Sequence, residues 1–153
     1  MTKVGLISDT HGLVRPEALA ALADSDVIVH AGDIGKPDVI EQLGEIAPVT
    51  AIRGNIDQAD WAKQYPEETC LQIAGRKLYV IHSLHDLILD PAEEQMHVVI
   101  SGHSHKPRIE TQEGVLFVNP GSAGPRRFSL PIAVASLVID EASEHASIIE
   151  LGL

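Results

Sequence analysis

The stretch Val98-Val99-Ile100-Ser101-Gly102-His103-Ser104-His105 places two histidines, one residue apart, directly after a short apolar run. Three consecutive β-branched residues predict a buried strand. Packing explains two imidazoles at the end of such a strand poorly, whereas imidazole is the commonest metal ligand among side chains. We therefore expect a metal site at this strand end, with its other ligands supplied by more distant parts of the chain.

The first half of the chain alternates between predicted strands and predicted helices. Short apolar runs indicate the strands, and runs of helix formers after a proline indicate the helices. The predicted strands are 4–8, 27–30 and 49–53, and the predicted helices are 16–23 and 37–43. This alternation predicts right-handed crossovers and a mostly parallel sheet.

The second half is predicted to be mostly β-structure. Two runs flank Ala74-Gly75-Arg76 and resemble a hairpin, and two longer runs form a closing β pair. The predicted strands are 69–73, 77–82, 98–101, 115–118, 132–140 and 145–151. Two sheets with helices outside them accommodate all these elements, so the pattern favours a layered α/β sandwich. No linker, repeat or low-complexity segment interrupts the chain, and we expect one domain over residues 1–153.

The charge and cysteine content exclude several classes of protein. The chain has 22 acidic against 11 basic residues, and its net charge of -11 argues against stable binding to nucleic acid or anionic membranes. No apolar run approaches the ~20 residues of a membrane span, and the first residues are too polar for a signal peptide. The single cysteine, Cys70, excludes an internal disulfide, and we interpret it as a small apolar filler in a strand. We expect a cytoplasmic protein.

Side chains that can ligate a metal follow five successive predicted strands. Each could instead cap a helix or stabilise a turn, but the carboxyl ends of strands in open parallel sheets converge on one edge. Residues that span nearly 100 positions can therefore meet there. The set comprises Asp9, His11, Asp33, Asn55, His82, His103 and His105.

The chemistry of these side chains indicates the kind of metal. Carboxylate, amide and imidazole ligands without a thiolate suit Mn, Fe, Ni, Co or Zn and exclude a cysteine-based structural zinc site. Seven side chains are too many for one ion that keeps an open position. They suit two ions that share a bridging carboxylate, so we expect two divalent metal ions.

The same motifs resemble the signature of the calcineurin-like metallophosphoesterases, and specifically their small, single-domain bacterial and archaeal phosphodiesterase branch. The matching segments are Asp9-Thr10-His11, Gly32-Asp33, Gly54-Asn55-Ile56-Asp57, His82, Gly102-His103-Ser104-His105, Asn119-Pro120-Gly121-Ser122 and Pro125-Arg126. The resemblance extends over essentially the whole chain. It implies a four-layer αββα sandwich of two mixed β-sheets flanked by helices, the metallo-dependent phosphatase-like α/β fold.

The resemblance also implies a distribution of the ligands between two ions, with manganese preferred. One ion would be held by Asp9, His11 and His105, and the other by Asn55, His82 and His103. Asp33 would bridge them and thereby act in catalysis. A hydroxide shared by the ions would attack the phosphorus of a small phosphate ester in line, and no protein nucleophile is required.

The chain departs from the family pattern beside two of these ligands. Many members carry a histidine after the asparagine, often as the acid for the leaving group, whereas this chain has Ile56. This departure predicts a preference for esters with acidic leaving groups. His85, in the loop after His82, is a candidate replacement for the missing acid, or a solvated loop residue. His30 and Asp57 are expected to support the ligands, although Asp57 could instead cap a helix over 59–63.

Three functions remain open at this point. A dinuclear phosphodiesterase is the leading hypothesis, and a phosphomonoesterase or nucleotidase with the same site is the second. The third is a protein-binding scaffold like the retromer subunit of this superfamily, but that subunit has an eroded ligand set, whereas all seven positions are competent here. Apolar β-rich segments such as 132–138 suggest a homodimer or a higher homo-oligomer.

Overall fold

The fold consists of ten strands, two α-helices and two short 3₁₀-helices, and the computed structural model describes all 153 residues. The strands are β1 (Thr2–Ile7), β2 (Val27–His30), β3 (Val49–Ala51), β4 (Glu68–Ile73), β5 (Arg76–Ile81), β6 (Val98–Ile100), β7 (Arg108–Gln112), β8 (Val115–Asn119), β9 (Ala133–Ile139) and β10 (Glu144–Glu150). The α-helices are α1 (Pro16–Ala21) and α2 (Pro37–Gly44), and the 3₁₀-helices are Asp60–Gln64 and Leu84–Asp86.

The strands form two five-stranded mixed sheets. The first has the order β10-β9-β1-β2-β3, in which β1, β2 and β3 are parallel, β9 pairs antiparallel with β1, and β10 pairs antiparallel with β9. The second has the order β4-β5-β6-β8-β7, in which β5, β6 and β8 are parallel between two antiparallel edge strands. Apolar side chains of both sheets share one core, which includes Leu6, Val29, Val80, Ile100 and Leu137. The predicted α/β sandwich of two mixed sheets is confirmed.

The two helices cover the outer face of the first sheet. Each has a proline in its first turn and an acidic residue, Glu17 or Asp38, near its positive end. Leu22, just after α1, and Leu43 of α2 are fully buried against Ile28 of β2. Neither helix has the length and apolar character needed to cross a membrane.

The outer face of the second sheet is covered differently. The segment 84–96 packs Leu87, Leu89 and Met96 against Tyr79 and Val99, but its only helix is the 3₁₀ turn at its start. The fourth layer of the sandwich is therefore an irregular segment rather than a regular helix. In Leu89-Asp90-Pro91 an acidic residue and a proline directly follow a leucine. This segment therefore lacks the continuous apolar stripe of a helix that packs on a sheet.

Cys70 differs from its expected role. It lies in a strand as predicted, but β4 is an edge strand and the cysteine is exposed, with its Sγ 3.9 Å from the sulfur of Met96. The interpretation as a core filler is wrong, because the alternation of β4 turns Cys70 away from the shared core.

One partly buried ion pair joins the two sheets at the end opposite the predicted ligands. Arg76 begins β5, and its Nε donates to Glu144 of β10 at 2.9 Å while its guanidinium also donates to the carbonyl oxygen of Asp140 at 3.2 Å. The two side chains are only 16% and 19% exposed. A partly buried guanidinium with several acceptors stabilises more than a surface pair does.

Replacing Arg76 with alanine should lower the free energy of unfolding by about 1.5–3 kcal/mol, because a charged donor and its buried acceptors lose their partners. Urea denaturation measures this loss. Arg108→Ala is the matched control, since its pair with Glu110 is exposed and contributes about 0–1 kcal/mol. Equal losses for the two variants would contradict the role of Arg76.

Candidate metal centre

The carboxyl ends of strands from both sheets meet at one edge and bring ligand-type atoms together. Asp9 Oδ1 lies 3.4 Å from His105 Nε2 and 3.8 Å from His82 Nε2. Asp33 Oδ2 lies 3.3 Å from His82 Nε2 and 3.7 Å from His11 Nε2. Five of the seven predicted ligands are thus linked by short distances between carboxylate oxygens and imidazole nitrogens.

In both carboxylates one oxygen is held and the other is free. Asp9 Oδ2 accepts from the Ser8 hydroxyl at 2.7 Å and from the His103 backbone N–H at 3.0 Å, and Asp33 Oδ1 accepts from the Ile56 N–H at 3.2 Å. The buried polar atoms left without a hydrogen bond in this cluster are Asp9 Oδ1, His11 Nε2, His82 Nε2 and His105 Nδ1. Each such atom costs about 1–3 kcal/mol, so their convergence fits a bound cation.

The converging atoms form two groups with metal-ligand spacing. Asp9, His11 and His105 make one group, and Asp9, Asp33 and His82 make the other, with all ligand atoms of a group within 4.8 Å of one another. The first group has the same three residues that the resemblance implied for one ion. Asp9 belongs to both groups, and Asp33 faces imidazoles of both, so each carboxylate occupies a position between the two sets.

The remaining two predicted ligands, Asn55 and His103, lie beside these groups. Both are exposed. The His103 ring centroid is 5.3 Å from that of His82, at an edge-on angle of 78°. Asn55 lines a cavity together with His82. The structure therefore gathers five of the seven residues closely and places the other two around His82.

One hydrogen bond orients the His82 ring toward the cluster. Its Nδ1 lies 2.7 Å from the carbonyl oxygen of Ala31, which can only accept. Nδ1 therefore carries the proton of the neutral ring, and Nε2 presents a lone pair toward Asp33.

His30 supports the same turn from within the core. Its Nδ1 accepts from the Gly32 N–H at 3.1 Å, so its Nε2 carries the proton and donates to the Thr10 hydroxyl at 3.0 Å. Thr10 in turn donates to the carbonyl oxygen of Ile34 at 2.8 Å. Burial lowers the pKa of His30 to about 3, which keeps the ring neutral. His30 positions the loop that carries Asp33, as the sequence suggested.

The ionisation of the cluster reflects burial and mutual contact. Burial raises the pKa of Asp9, against the opposing effects of His82 and Ser8. Burial also acts to raise the pKa of Asp33, but the close contact with His82 outweighs this effect and lowers the pKa to about 2. Burial lowers the pKa of His105. A neutral imidazole and an ionised carboxylate are the forms that bind metals.

The backbone at the ligands is strained. Nine residues other than glycine have a positive φ, and five of them are predicted ligands. These are Asp9 (54°), His11 (48°), Asp33 (57°), His103 (72°) and His105 (62°). Such conformations cost of order 1–3 kcal/mol each and cluster at functional sites. Strain at five ligands from three loops supports a functional role for the whole cluster.

Two glycines allow the ligand loops to approach each other. A Cβ at Gly54 would overlap the Asp33 carboxylate, and one at Gly102 would overlap the Ser8 hydroxyl and lie 2.6 Å from Asp9 Oδ2. Neither position needs a positive φ. These glycines are required for space rather than for backbone freedom.

Asp57 joins two ligand loops through three backbone donors. It is 3% exposed, and its carboxylate accepts from the N–H groups of Ile34 (2.9 Å), Gly35 (3.0 Å) and Gly54 (2.8 Å). The sequence suggested a supporting role or a helix cap, and the structure shows support of the loops after β2 and β3. The spacing of Asp57 from Gly54 is local, but its partners at 34 and 35 were not evident from the sequence.

Two cavities flank the cluster. One has a volume of about 470 Å³ and is lined by His82 and Asn55, and the other has about 550 Å³ and is lined by His103 and His85. His85 is exposed and lies in the short 3₁₀-helix after His82. It therefore lies at the second cavity and outside both groups of ligands.

Most of the chain is similar to proteins of known families. Residues 2–142 match the model of the calcineurin-like phosphoesterase superfamily domain. A probable metallophosphoesterase of Methanothermobacter thermautotrophicus is 34% identical over 97% of this chain and 92% of its own. A phosphodiesterase of Methanocaldococcus jannaschii is 30% identical over 78% of this chain and 82% of its own.

Solved structures share the fold at lower identity. An archaeal phosphodiesterase superposes with a TM-score of 0.79 at 24% identity, covering 97% of this chain and 100% of that one. Vps29 of Chaetomium thermophilum superposes with a TM-score of 0.78 at 15% identity, covering 98% and 97%. The sandwich is therefore common to catalysts and to Vps29.

Replacing Asp57 with alanine should lower the free energy of unfolding by about 3 kcal/mol or more, because three backbone donors lose a charged acceptor. Urea denaturation measures the effect, and Asp57→Asn, which keeps one acceptor oxygen, should lose less. Asp60→Ala is the control, since its side chain is 97% exposed. A loss below about 1 kcal/mol for Asp57→Ala would contradict the bracing role.

Proposed function

We propose a specific activity for this chain, which belongs to the calcineurin-like phosphoesterase superfamily: hydrolysis of a small phosphodiester with the help of two divalent metal ions. The observation that carries the proposal is the convergence of Asp9 Oδ1 and Asp33 Oδ2 with imidazole nitrogens, where Asp9 Oδ1 and three of the imidazoles have a buried atom without a hydrogen bond. Phosphoester hydrolysis by a metal-dependent site is the chemistry of the family.

The residues fit two ions in the following way. Asp9, His11 and His105 would hold one, and Asn55, His82 and His103 the other, with Asp33 as the shared carboxylate. When bound, the ions supply an activated water molecule and neutralise negative charge on the phosphate. We propose manganese as the metal, with nickel, iron, cobalt and zinc as alternatives from the same ligand chemistry. The protein holds Asp33 Oδ2 and His82 Nε2 in place through the Ile56 and Ala31 hydrogen bonds.

Two observations favour a diester over a monoester. Cavities lie on both sides of the ligand cluster, next to Asn55 and to His103, which gives room for two ester groups. The M. jannaschii relative is a phosphodiesterase. A phosphomonoesterase or nucleotidase with the same site is the second candidate. A scaffold role is suggested by the Vps29 fold likeness, but a complete ligand set favours catalysis.

The other expectations follow from the composition and stay predictions. They are one domain over residues 1–153, a cytoplasmic location, no stable partner among nucleic acids or membranes, and a homodimer or higher homo-oligomer.

Protein loaded with manganese should hydrolyse bis(4-nitrophenyl) phosphate and contain two metal ions per chain by elemental analysis. Asp33→Ala should lower kcat/KM about 10³-fold and the metal content to one ion or fewer, because it removes the carboxylate between both sets. Absence of hydrolysis by the loaded protein would contradict the enzymatic proposal.

The control for this experiment is Asp38→Ala, which removes an exposed carboxylate from the first turn of α2. It should leave both the rate and the metal content unchanged. Addition of a chelator should abolish hydrolysis by the wild-type protein.

We propose that His85 donates a proton to the leaving group, since Ile56 cannot. His85→Gln should then lower kcat/KM at least tenfold for diphenyl phosphate, whose leaving group needs a proton, and less than threefold for bis(4-nitrophenyl) phosphate. Initial rates and their pH profiles measure this difference. His145→Gln is the matched control, and an equal loss on both substrates would contradict the role of His85.

A further inference from the structure

We infer that the second cavity, beside His103, binds an aromatic ester group of the substrate. The inference rests on the proposed function, and it identifies a class of substrate together with the residues that select it. The volume of about 550 Å³ lies within the range of roughly 300–1,000 Å³ typical of small-molecule sites.

Part of the lining of this cavity is apolar. Phe117 of β8 points to the outer face of the second sheet, while its neighbour Val118 points into the shared core. Leu84 and Leu87, on the segment that covers this face, also line the cavity. The apolar part of the lining therefore combines an aromatic ring with two leucines, side chains against which an aromatic group packs well.

Leu84 in particular is not used by the protein's own core. It is 39% exposed and belongs to none of the apolar clusters, although it lies only two residues from the ligand His82. An exposed leucine that lines a cavity is available for contact with a ligand.

The charges of the two cavities differ and favour the second one for an anionic ester. The first cavity is lined by Glu67, Glu68 and Asp86, and its arginine, Arg53, is already paired with Glu67 at 3.4 Å. The second cavity is lined by Lys106, Arg108 and Glu110; Arg108 is paired with Glu110, and Lys106 has no carboxylate within 4.0 Å. The second cavity is therefore the more favourable of the two for a group on an anionic ester.

Non-hydrolysable phosphonates test this inference without relying on turnover. Phenylphosphonate and methylphosphonate differ only in the organic group, and isothermal titration calorimetry on the manganese-loaded protein measures both affinities. We expect phenylphosphonate to bind about tenfold more tightly, as burial of roughly 60 Å² more apolar surface predicts. Leu84→Ser and the conservative Phe117→Leu should each reduce this preference to threefold or less.

The control is Ile88→Ser, which removes a 94% exposed isoleucine that lies in the same segment but does not line the cavity. It should leave the preference at about tenfold. Equal affinities for the two phosphonates, no binding of either, or an unchanged preference in Leu84→Ser would overturn the inference. A retained phenyl preference without hydrolysis of any diester would overturn the proposed phosphodiesterase activity and leave the aromatic site standing.

Discussion

The carboxylate of Asp9 is fully buried, and the hydrogen bonds around it join the loops at the ends of both sheets. Its Oδ2 is held by Ser8 and by the His103 N–H, and its backbone carbonyl accepts from the Ser122 hydroxyl at 2.9 Å. These bonds leave Oδ1 without a partner. A buried anion of this kind is stable only where positive charge is available. The burial of Asp9 therefore accounts both for the imidazoles around it and for a candidate cation site beside it.

The loops around the cluster hold this carboxylate in place at a cost in backbone strain. Five ligands have a left-handed backbone, and Gly54 and Gly102 leave no room for a side chain. Three N–H groups around Asp57 and the neutral ring of His30 hold the loops that carry Asp33 and Asn55. The packing of the two-sheet core offsets the free-energy cost of this strain.

Much of this architecture could be predicted from the sequence, because buried strands are apolar runs and the ligands follow them directly. The exception among the strands is the edge strand β7 (Arg108–Gln112), in which Ile109 is the one apolar residue, so it carries no apolar run. The irregular layer outside the second sheet could not be predicted either, since its packing depends on separate leucines. The candidate ligand set could be predicted from its position after the strands, but the exposure of Asn55 and His103 and the long-range partners of Asp57 are properties of the folded loops.

The candidate metal ligands come from the ends of strands in both sheets, and this has a consequence for folding. The bond between His103 and Asp9 spans 94 positions, and no group of three ligands is confined to one strand and its neighbour. Such a centre does not exist until the two sheets have packed together, so the unfolded chain offers a cation at most a local pair of ligands, such as Asp9 with His11 or His103 with His105. Binding of a cation at this site would therefore be coupled to the completed fold, and it would stabilise the folded chain only after the two sheets have packed together.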